Sequence, residues 1–422
     1  MIKKRDASMV FIFITLLVDV IGFGIIIPVL PSLIKDLNGG DFSDAARTGG
    51  WLLFAFSLMQ FIFSPIMGNL SDRFGRRPVL LFSLFGFACD YMIMAFAPSV
   101  FWLFVGRTLA GITGASFSTA GAYIADVSPP EKRAQNFGLI GAAFGAGFVI
   151  GPAIGGFLGE YGNRVPFYGA AILTILNWLY GYFILPESLP KEKRRKFEWK
   201  RANPAGSLKH LKKYNVTFAL IASLICIYFG SYAVQSNWSF FTMGTFGWTS
   251  KQVGISLSLV GILVGAVNAG LTRVVMPRFG QKRSLYYGLM LYSVGLFLFA
   301  FATQGWMMYL FLLPYCLGGI GMPAIQSIIS SQVPSNEQGE LQGALTSLMS
   351  LTAIAGPPLM TNTYAFFSGT KAPIVFPGAA FLLGGLFMIS SLVLAWVALR
   401  HRDFAAEKAA HQQNTSAPET PE

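Results

Sequence analysis

Apolar stretches alternate with short polar breaks along the whole chain, and most approach the roughly 20 residues that a helix needs to cross a bilayer. By that ruler the 422 residues hold twelve such stretches, near 9–31, 48–68, 78–97, 100–123, 137–160, 166–185, 214–240, 250–272, 284–302, 306–330, 340–362 and 376–399. The breaks are short except at 186–213, which contains Lys191-Glu-Lys-Arg-Arg-Lys196 and divides the stretches six and six. The expected fold is an all-α polytopic membrane protein, with twelve transmembrane helices in two six-helix bundles. Residues 1–190 would form the first bundle, 191–213 a basic linker, 214–402 the second bundle and 403–422 a polar, disordered tail. The first stretch is too long for a signal-peptide core, contains Asp19 and lacks a small-residue cleavage pattern, so it reads as a retained helix.

Composition and charge sharpen this picture. The chain is 54% hydrophobic and 12% charged, about half the charged share of a soluble domain. Its net charge of +12 raises nucleic acid as a partner, but the distribution of the bases argues otherwise. With the N-terminus inside, 25 of the 31 lysines and arginines fall in inner segments and five in outer ones, and Arg107 alone lies within a span. That bias is a topology signal, and it puts both termini in the cytoplasm with no nucleic-acid partner. The three cysteines, Cys89, Cys226 and Cys316, sit in apolar runs without metal or disulfide spacing and read as packing residues.

The two halves repeat. Arg73-Phe74-Gly75 recurs as Arg278-Phe279-Gly280, Gly151-Pro152 as Gly356-Pro357, and Pro129 and Gly138 as Pro334 and Gly343, always 205 residues later. One shared offset implies two bundles related by an axis along the membrane normal, with a substrate path between them.

Few residues in the spans carry chemistry. Asp19 lies inside the first stretch, where a charge costs about 2.5–3.5 kcal/mol even on a lenient scale. Such an acid usually faces a cavity and can change protonation. Asp90 in the third stretch and Arg107 in the fourth carry the same implication, and Arg107 is the natural partner of a carboxylate. A static buried pair that fixes helix packing is the alternative for all three.

The turn Gly68-Asn-Leu-Ser-Asp-Arg-Phe-Gly-Arg-Arg-Pro78 joins the second and third stretches. It reads either as a solvated basic turn or as a gate latch built from Gly68, Asp72, Arg73, Gly75, Arg76, Arg77 and Asp126. In the latch reading Asp72 accepts hydrogen bonds at the N-terminus of a helix in the other half, and Arg73 pairs with Asp126. The second-half copy has Pro277 in place of Asp72, so the latch is one-sided. In the fifth stretch, Gly141/Gly145 and Gly147/Gly151/Gly155 recur at four-residue spacing, which lets another helix approach closely, and Pro152 would kink the helix.

Gln60, Gln235, Asn237, Asn268 and Gln326, with Trp238 and Tyr292 as stacking surfaces, are candidates for a substrate pocket; each fits helix–helix contact equally well. No Walker-type loop is present, and His210, His401 and His411 lie in the linker or tail. No cofactor, no metal and no enzymatic activity are therefore expected.

Gly68–Leu80, Gly106-Arg-Thr-Leu-Ala-Gly-Ile-Thr-Gly114 and Gly145–Gly156 together resemble the drug/proton antiporter branch of the major facilitator superfamily. Asp19–Pro31, Ser71–Leu81, Asp90-Tyr91 and Gly111–Ala115 are most similar to the tetracycline/proton antiporters within it. The resemblance implies the major facilitator fold, a bacterial inner-membrane location and a monomer. It makes Asp19 and Asp90 the intramembrane acids, Asp72, Arg76 and Asp126 the cytoplasmic gate charges, Gly147, Gly151, Pro152 and Gly155 the antiporter motif, and Gln326 a polar position of the tenth helix. The second half departs from the pattern: the family's ninth-helix acid aligns with Tyr292, its eighth-helix histidine with Val264 and a nearby glutamine with Asn268.

The expected function is proton-coupled efflux of a small amphipathic compound such as a drug, by alternating access, with proton coupling resting on Asp19, Asp90 and Arg107. The expected partners are that substrate, protons and the lipid bilayer. Two other readings fit the same residues: transport of a native metabolite or siderophore by the same fold, and a non-transporting membrane receptor or scaffold.

Overall fold

The computed structural model describes residues 2–114, 116–199, 218–334, 337–369 and 372–400. Residues 200–213 of the linker, the first residues of the seventh stretch, the tail 403–422 and His210, His401 and His411 lie outside the described residues.

Every regular element among the described residues is helical. Before the linker come α1 (Ile2–Ile26), α2 (Leu30–Asn38), α3 (Phe42–Phe74), α4 (Arg76–Phe96), α5 (Val100–Thr113), α6 (Ser116–Val127), α7 (Arg133–Gly159) and α8 (Val165–Ile184), the first set. The second set comprises α9 (Phe218–Phe246), α10 (Ser250–Ala266), α11 (Thr272–Ala300), α12 (Gly305–Leu317), α13 (Gly321–Ser330), α14 (Gln338–Ser368) and α15 (Ala379–Leu399). Among the described residues, eleven helical runs are long and apolar enough to cross a membrane. One of them, Ser250–Ala300, has 51 residues, about 75 Å of helix, enough for two crossings. It turns at Gly280, which separates two spans and makes twelve. The protein is an all-α polytopic membrane protein.

Several boundaries differ from the hydropathy reading for local reasons. The first stretch ends at Ile26 and not near residue 31, because Pro28 disfavours helix at the residue before it, and the short α2 follows. The fourth stretch is two helices, since α5 stops at Thr113 and Gly114 has non-helical φ −70° and ψ 55°. The loop expected between the eighth and ninth stretches is helical apart from Gly280, and a π turn at Val267–Leu271 ends the eighth stretch just before it. The repeated turns share one backbone shape: Gly75 has φ 108° and ψ 162°, Gly280 φ 76° and ψ 163°. A side chain is strained in that region, so the repeat retains glycine for conformational reasons.

Within the first set α1 packs on α7 and α8, α4 on α8 and α5, and α3 on α5. Within the second, α9 packs on α15 and α14, and α11 on α15, α12 and α13. The sets meet through α3 with α14 and α7 with α10. This junction lies at the end bearing Asp41, Glu160 and Ser250. There Ser258 Oγ donates to the Val149 carbonyl at 2.7 Å and Lys251 pairs with Glu160 at 3.3 Å. A Cβ at Gly156 would stand 2.7 Å from the Ser250 carbonyl oxygen. Toward the opposite end the same helices part. A Cβ at Gly68, Gly138, Gly141, Gly145, Gly265, Gly270, Gly339 or Gly343 would meet nothing within 4 Å. The contacts described between the sets thus lie toward the Asp41 end, whereas these glycines toward the Gly75 end face open space.

Candidate functional site

Asp19 sits on α1 where α6 and α8 also pack, and it is 8% exposed. The Ser116 hydroxyl at the start of α6 faces its carboxyl, and Tyr91 on α4 is a neighbour. Its Oδ2 is buried and accepts no hydrogen bond. Among the described residues no base pairs with it.

Asp90 and Arg107 satisfy each other instead. Arg107 Nε donates to Asp90 Oδ1 at 3.2 Å and Nη2 lies against Oδ2, with both side chains almost fully buried. The guanidinium also sits 5.7 Å from the Phe56 ring centre and 6.0 Å from that of Tyr91, within cation–π range. Gly106 makes the pair possible, because a Cβ there would come 2.7 Å from Asp90 Oδ1. The two acids therefore differ: one is neutralised in place, the other stands alone.

At the Gly75 turn the expected partners change. Asp126 is paired with Arg76 at 3.2 Å, not with Arg73, whose guanidinium lies 4.9 Å from the Phe74 ring centre. Arg76 points back along α4's first turn and also holds Asp72 at 2.5 Å and Ser71 Oγ at 2.6 Å, whereas Arg73 ends α3 on another side. Among the described residues Asp72 has no partner on a helix of the second set; it pairs with Arg76, one helical turn away. An acid does occupy a helix N-terminus here, but it is Glu187, which accepts from the Arg76 backbone N–H at 2.9 Å. Residues 187–198 then strap the turn: Arg195 N–H donates to the Asp72 carbonyl at 3.1 Å and Asn69 Nδ2 to the Glu198 carbonyl at 2.7 Å. Arg77 donates to the Tyr182 carbonyl. Gly68 faces open space.

The glycines of α7 form two faces. A Cβ at Gly147 would stand 2.6 Å from Val20, and one at Gly151 would stand 2.8 Å from Gly24 Cα, so this face lies against α1. Gly155 packs there too, on Ile25. Gly156 and Gly159 instead meet Ser250 of α10. Pro152 stays inside a single helix, with Gly24 against its ring.

The polar candidates divide by exposure. Gln235, Asn268 and Gln326 are exposed and Gln60 is half-buried. Gln60 Nε2 donates to the Gly114 carbonyl at the α5–α6 break, and Gln235 Nε2 to Ser231 Oγ. Asn237 and Trp238 are sealed in the second set, Trp238 donating to Ser256 Oγ at 2.8 Å. Tyr292 stacks on Tyr315 at 4.6 Å and donates to its hydroxyl at 3.0 Å. Sequence reading missed Thr15, Ser116, Thr119, Thr174, Asn177 and Glu187. The first two had a legible signal: Thr15 is one turn before Asp19, and Ser116 follows the Gly114 break.

Known proteins place this arrangement. The profile of the Major Facilitator Superfamily matches residues 12–357 and 274–421. The chain belongs to the Major Facilitator Superfamily. It is a multi-pass membrane transporter, and its relatives include tetracycline resistance proteins. The class C protein of Escherichia coli is 40% identical over 92% of this chain and 96% of its own. The class G protein of Vibrio anguillarum is 39% identical over 83% and 88%. Among solved structures, a human organic anion transporter superposes with TM-score 0.67 at 24% identity, covering 93% of this chain and 99% of that one. A D-xylose–proton symporter gives 0.70 at 18%, covering 92% and 97%. At those identities the structures speak for the fold alone.

Proposed function

We propose that the protein is a proton-coupled antiporter that exports a small amphipathic compound, with tetracyclines the first class to test, across the bacterial inner membrane as a monomer. The observation that carries this reading is the contrast between the two buried acids. Asp19 has no base beside it, whereas Asp90 is locked to Arg107. A lone carboxylate in a dehydrated site exchanges protons; a paired one holds helices. The similarity to tetracycline resistance proteins over most of the chain supports efflux.

The bias of basic residues puts the Gly75 end in the cytoplasm with both termini, so a form open at that end is inward-facing. In that form Asp19 gives its proton to the cytoplasm, and substrate enters the cleft past Gln60, Gln235, Asn268 and Gln326. The two helix sets then rock about the α3–α14 and α7–α10 junctions, with Asp72, Arg76 and Asp126 available to close the inner end. Outside, Asp19 takes up a proton and substrate leaves.

The test is substrate-triggered proton movement in vesicles holding a pH dye, screened with tetracyclines, cationic dyes, siderophores and organic acids. Proton flux tied to one class and lost in Asp19→Asn is the expected result. Full pH-driven transport by Asp19→Asn would sink the assignment.

A further inference from the structure

Apart from Ser83 Oγ and the Asp90 carboxylate held by Arg107, the buried side-chain oxygens before the linker that have no hydrogen-bond partner among the described residues are six: Thr15 Oγ1, Asp19 Oδ2, Ser116 Oγ, Thr119 Oγ1, Thr174 Oγ1 and Asn177 Oδ1. They come from α1, α6 and α8, with two on each helix, three or four residues apart and so on one face. α1 packs on both of the other helices. Ser116 faces Asp19. Asn177 Nδ2 donates to the Thr15 carbonyl at 3.2 Å, which fixes the amide and leaves its oxygen free. The Thr174 and Tyr91 hydroxyls reach α1 at Gly22, where a Cβ would stand 3.5 and 3.3 Å from them.

The hydroxyls are unusual within this chain. Several buried helical Ser and Thr elsewhere donate back to their own helix: Thr113 to Leu109, Thr242 to Trp238, Ser293 to Leu289 and Thr361 to Pro357, at 2.8 to 3.0 Å, although Ser83 has no partner and Ser223 bonds Ser391 of another helix. Thr15, Ser116, Thr119 and Thr174 do not. Ser116 lies toward Asp19, and the one carboxylate among these oxygens favours a cation as their shared partner. Water alone would satisfy the hydroxyls, but an ionised Asp19 would stay uncompensated, at a cost of several kcal/mol. Among the described residues, the base near this cluster, Arg107, is engaged by Asp90. The set has no sulfur or imidazole, which disfavours a transition metal, and one carboxylate, which is few for Ca²⁺ or Mg²⁺.

We propose that the pocket centred on Asp19 binds a monovalent alkali cation of sodium's size, in exclusion of a proton on the same carboxylate. The oxygens of Ser116, Thr119, Thr15, Thr174 and Asn177 complete its coordination directly or through water. The close approach of Thr174 and Tyr91 to Gly22 keeps the pocket small, which selects Na⁺ and Li⁺ over K⁺. The site shares Asp19 with the proton reading above but does not depend on transport.

Equilibrium binding of ²²Na⁺ to the purified full-length protein in nanodiscs, in choline buffer, tests this. Saturable binding is expected, displaced by Li⁺ and by acid and not by K⁺. It should vanish in Asp19→Asn and weaken by about 10-fold or more in Thr174→Val and Ser116→Ala, as for lost ligand contacts elsewhere. Protection of the wild type against heat by Na⁺, absent with choline, gives a readout free of variant folding. No saturable binding, displacement by K⁺ equal to that by Na⁺, or binding unchanged in Asp19→Asn would overturn the proposal. Sodium binding without substrate-linked proton flux sinks the antiport reading alone; such flux without sodium binding sinks this one alone.

Discussion

Replacing Asp90 by asparagine leaves the Arg107 guanidinium charged in a place water does not reach. The two side chains are 0% and 4% exposed, so solvent offers Arg107 no substitute. Breaking a buried pair by removing one partner costs about 3–5 kcal/mol. The asparagine oxygen still accepts one N–H, which puts the expected loss near the lower end, about 3 kcal/mol. Arg107→Leu strands Asp90 in the same way. The double variant removes both charges and fills the space with carbon, and such replacements are often neutral. Unfolding of the purified variants in mixed micelles should therefore give a coupling energy of at least about 2 kcal/mol. Substrate-triggered proton movement should survive in the double variant, since Asp19 is untouched. Asp90→Asn within about 0.5 kcal/mol of the wild type, the range of an ordinary surface change, would refute the reading of a structural tie. A well-folded double variant that moves substrate but no protons would refute the division of labour between the acids.

Other expectations follow from the turns and caps. Gly75→Ala and Gly280→Ala both force a side chain into a backbone region that costs about 1–3 kcal/mol. Only Gly75→Ala also drives Cβ into Glu187, so it should release the 187–198 strap, read as faster protease cleavage there; equal cleavage in both variants would count against the strap. Asp41 caps α3 by accepting from the backbone N–H groups of Ser43 and Asp44 at 2.9 and 3.0 Å. Burial pushes its carboxyl up, but the Ser43 hydroxyl, those two N–H groups and Lys35 outweigh this and hold it below the ordinary 3.8. A depressed carboxyl stabilises the fold fully above its ordinary value and loses that contribution as pH falls through the lower one. Asp41→Ala should thus cost about 1 kcal/mol at neutral pH and nothing well below the lowered value, measured by unfolding against pH.

The twelve spans, the repeat and the positions of the charged residues were legible because each depends on local composition. Hydropathy marks a span, and a 205-residue offset marks a repeated half. Pairing was less legible. Arg73 and Arg76 both stand near Asp126 in a linear reading, and only the first turn of α4 decides that Arg76 reaches it. The Glu187 strap could not be read, since its oxygen meets the Arg76 amide across 111 residues. Asn237 and Trp238 look like pocket residues because polar and aromatic groups in a span suit a ligand, yet packing turns them into the second set's core.

The two halves divide the chemistry unequally. The first carries Asp19, Asp90 and Arg107 within its spans and Asp72 and Asp126 at its Gly75 end; in the second, Tyr292 and Tyr315 are bonded to each other. A second half with neutral spans would still be able to move, because the junction rests mainly on small residues, with the half-exposed Lys251–Glu160 pair at its edge. Gly156 and Gly159 meet Ser250, and Gly254 lies against the Pro152 backbone, so helix slides on helix with few side chains to unlock. Ions and protons would thus be sensed in the first half, while the second follows as a body and contributes polar, uncharged groups to the cleft. Swapping recognition without touching coupling should then be possible from Gln235, Asn268 and Gln326 alone, which makes the second half the place to look for substrate preference.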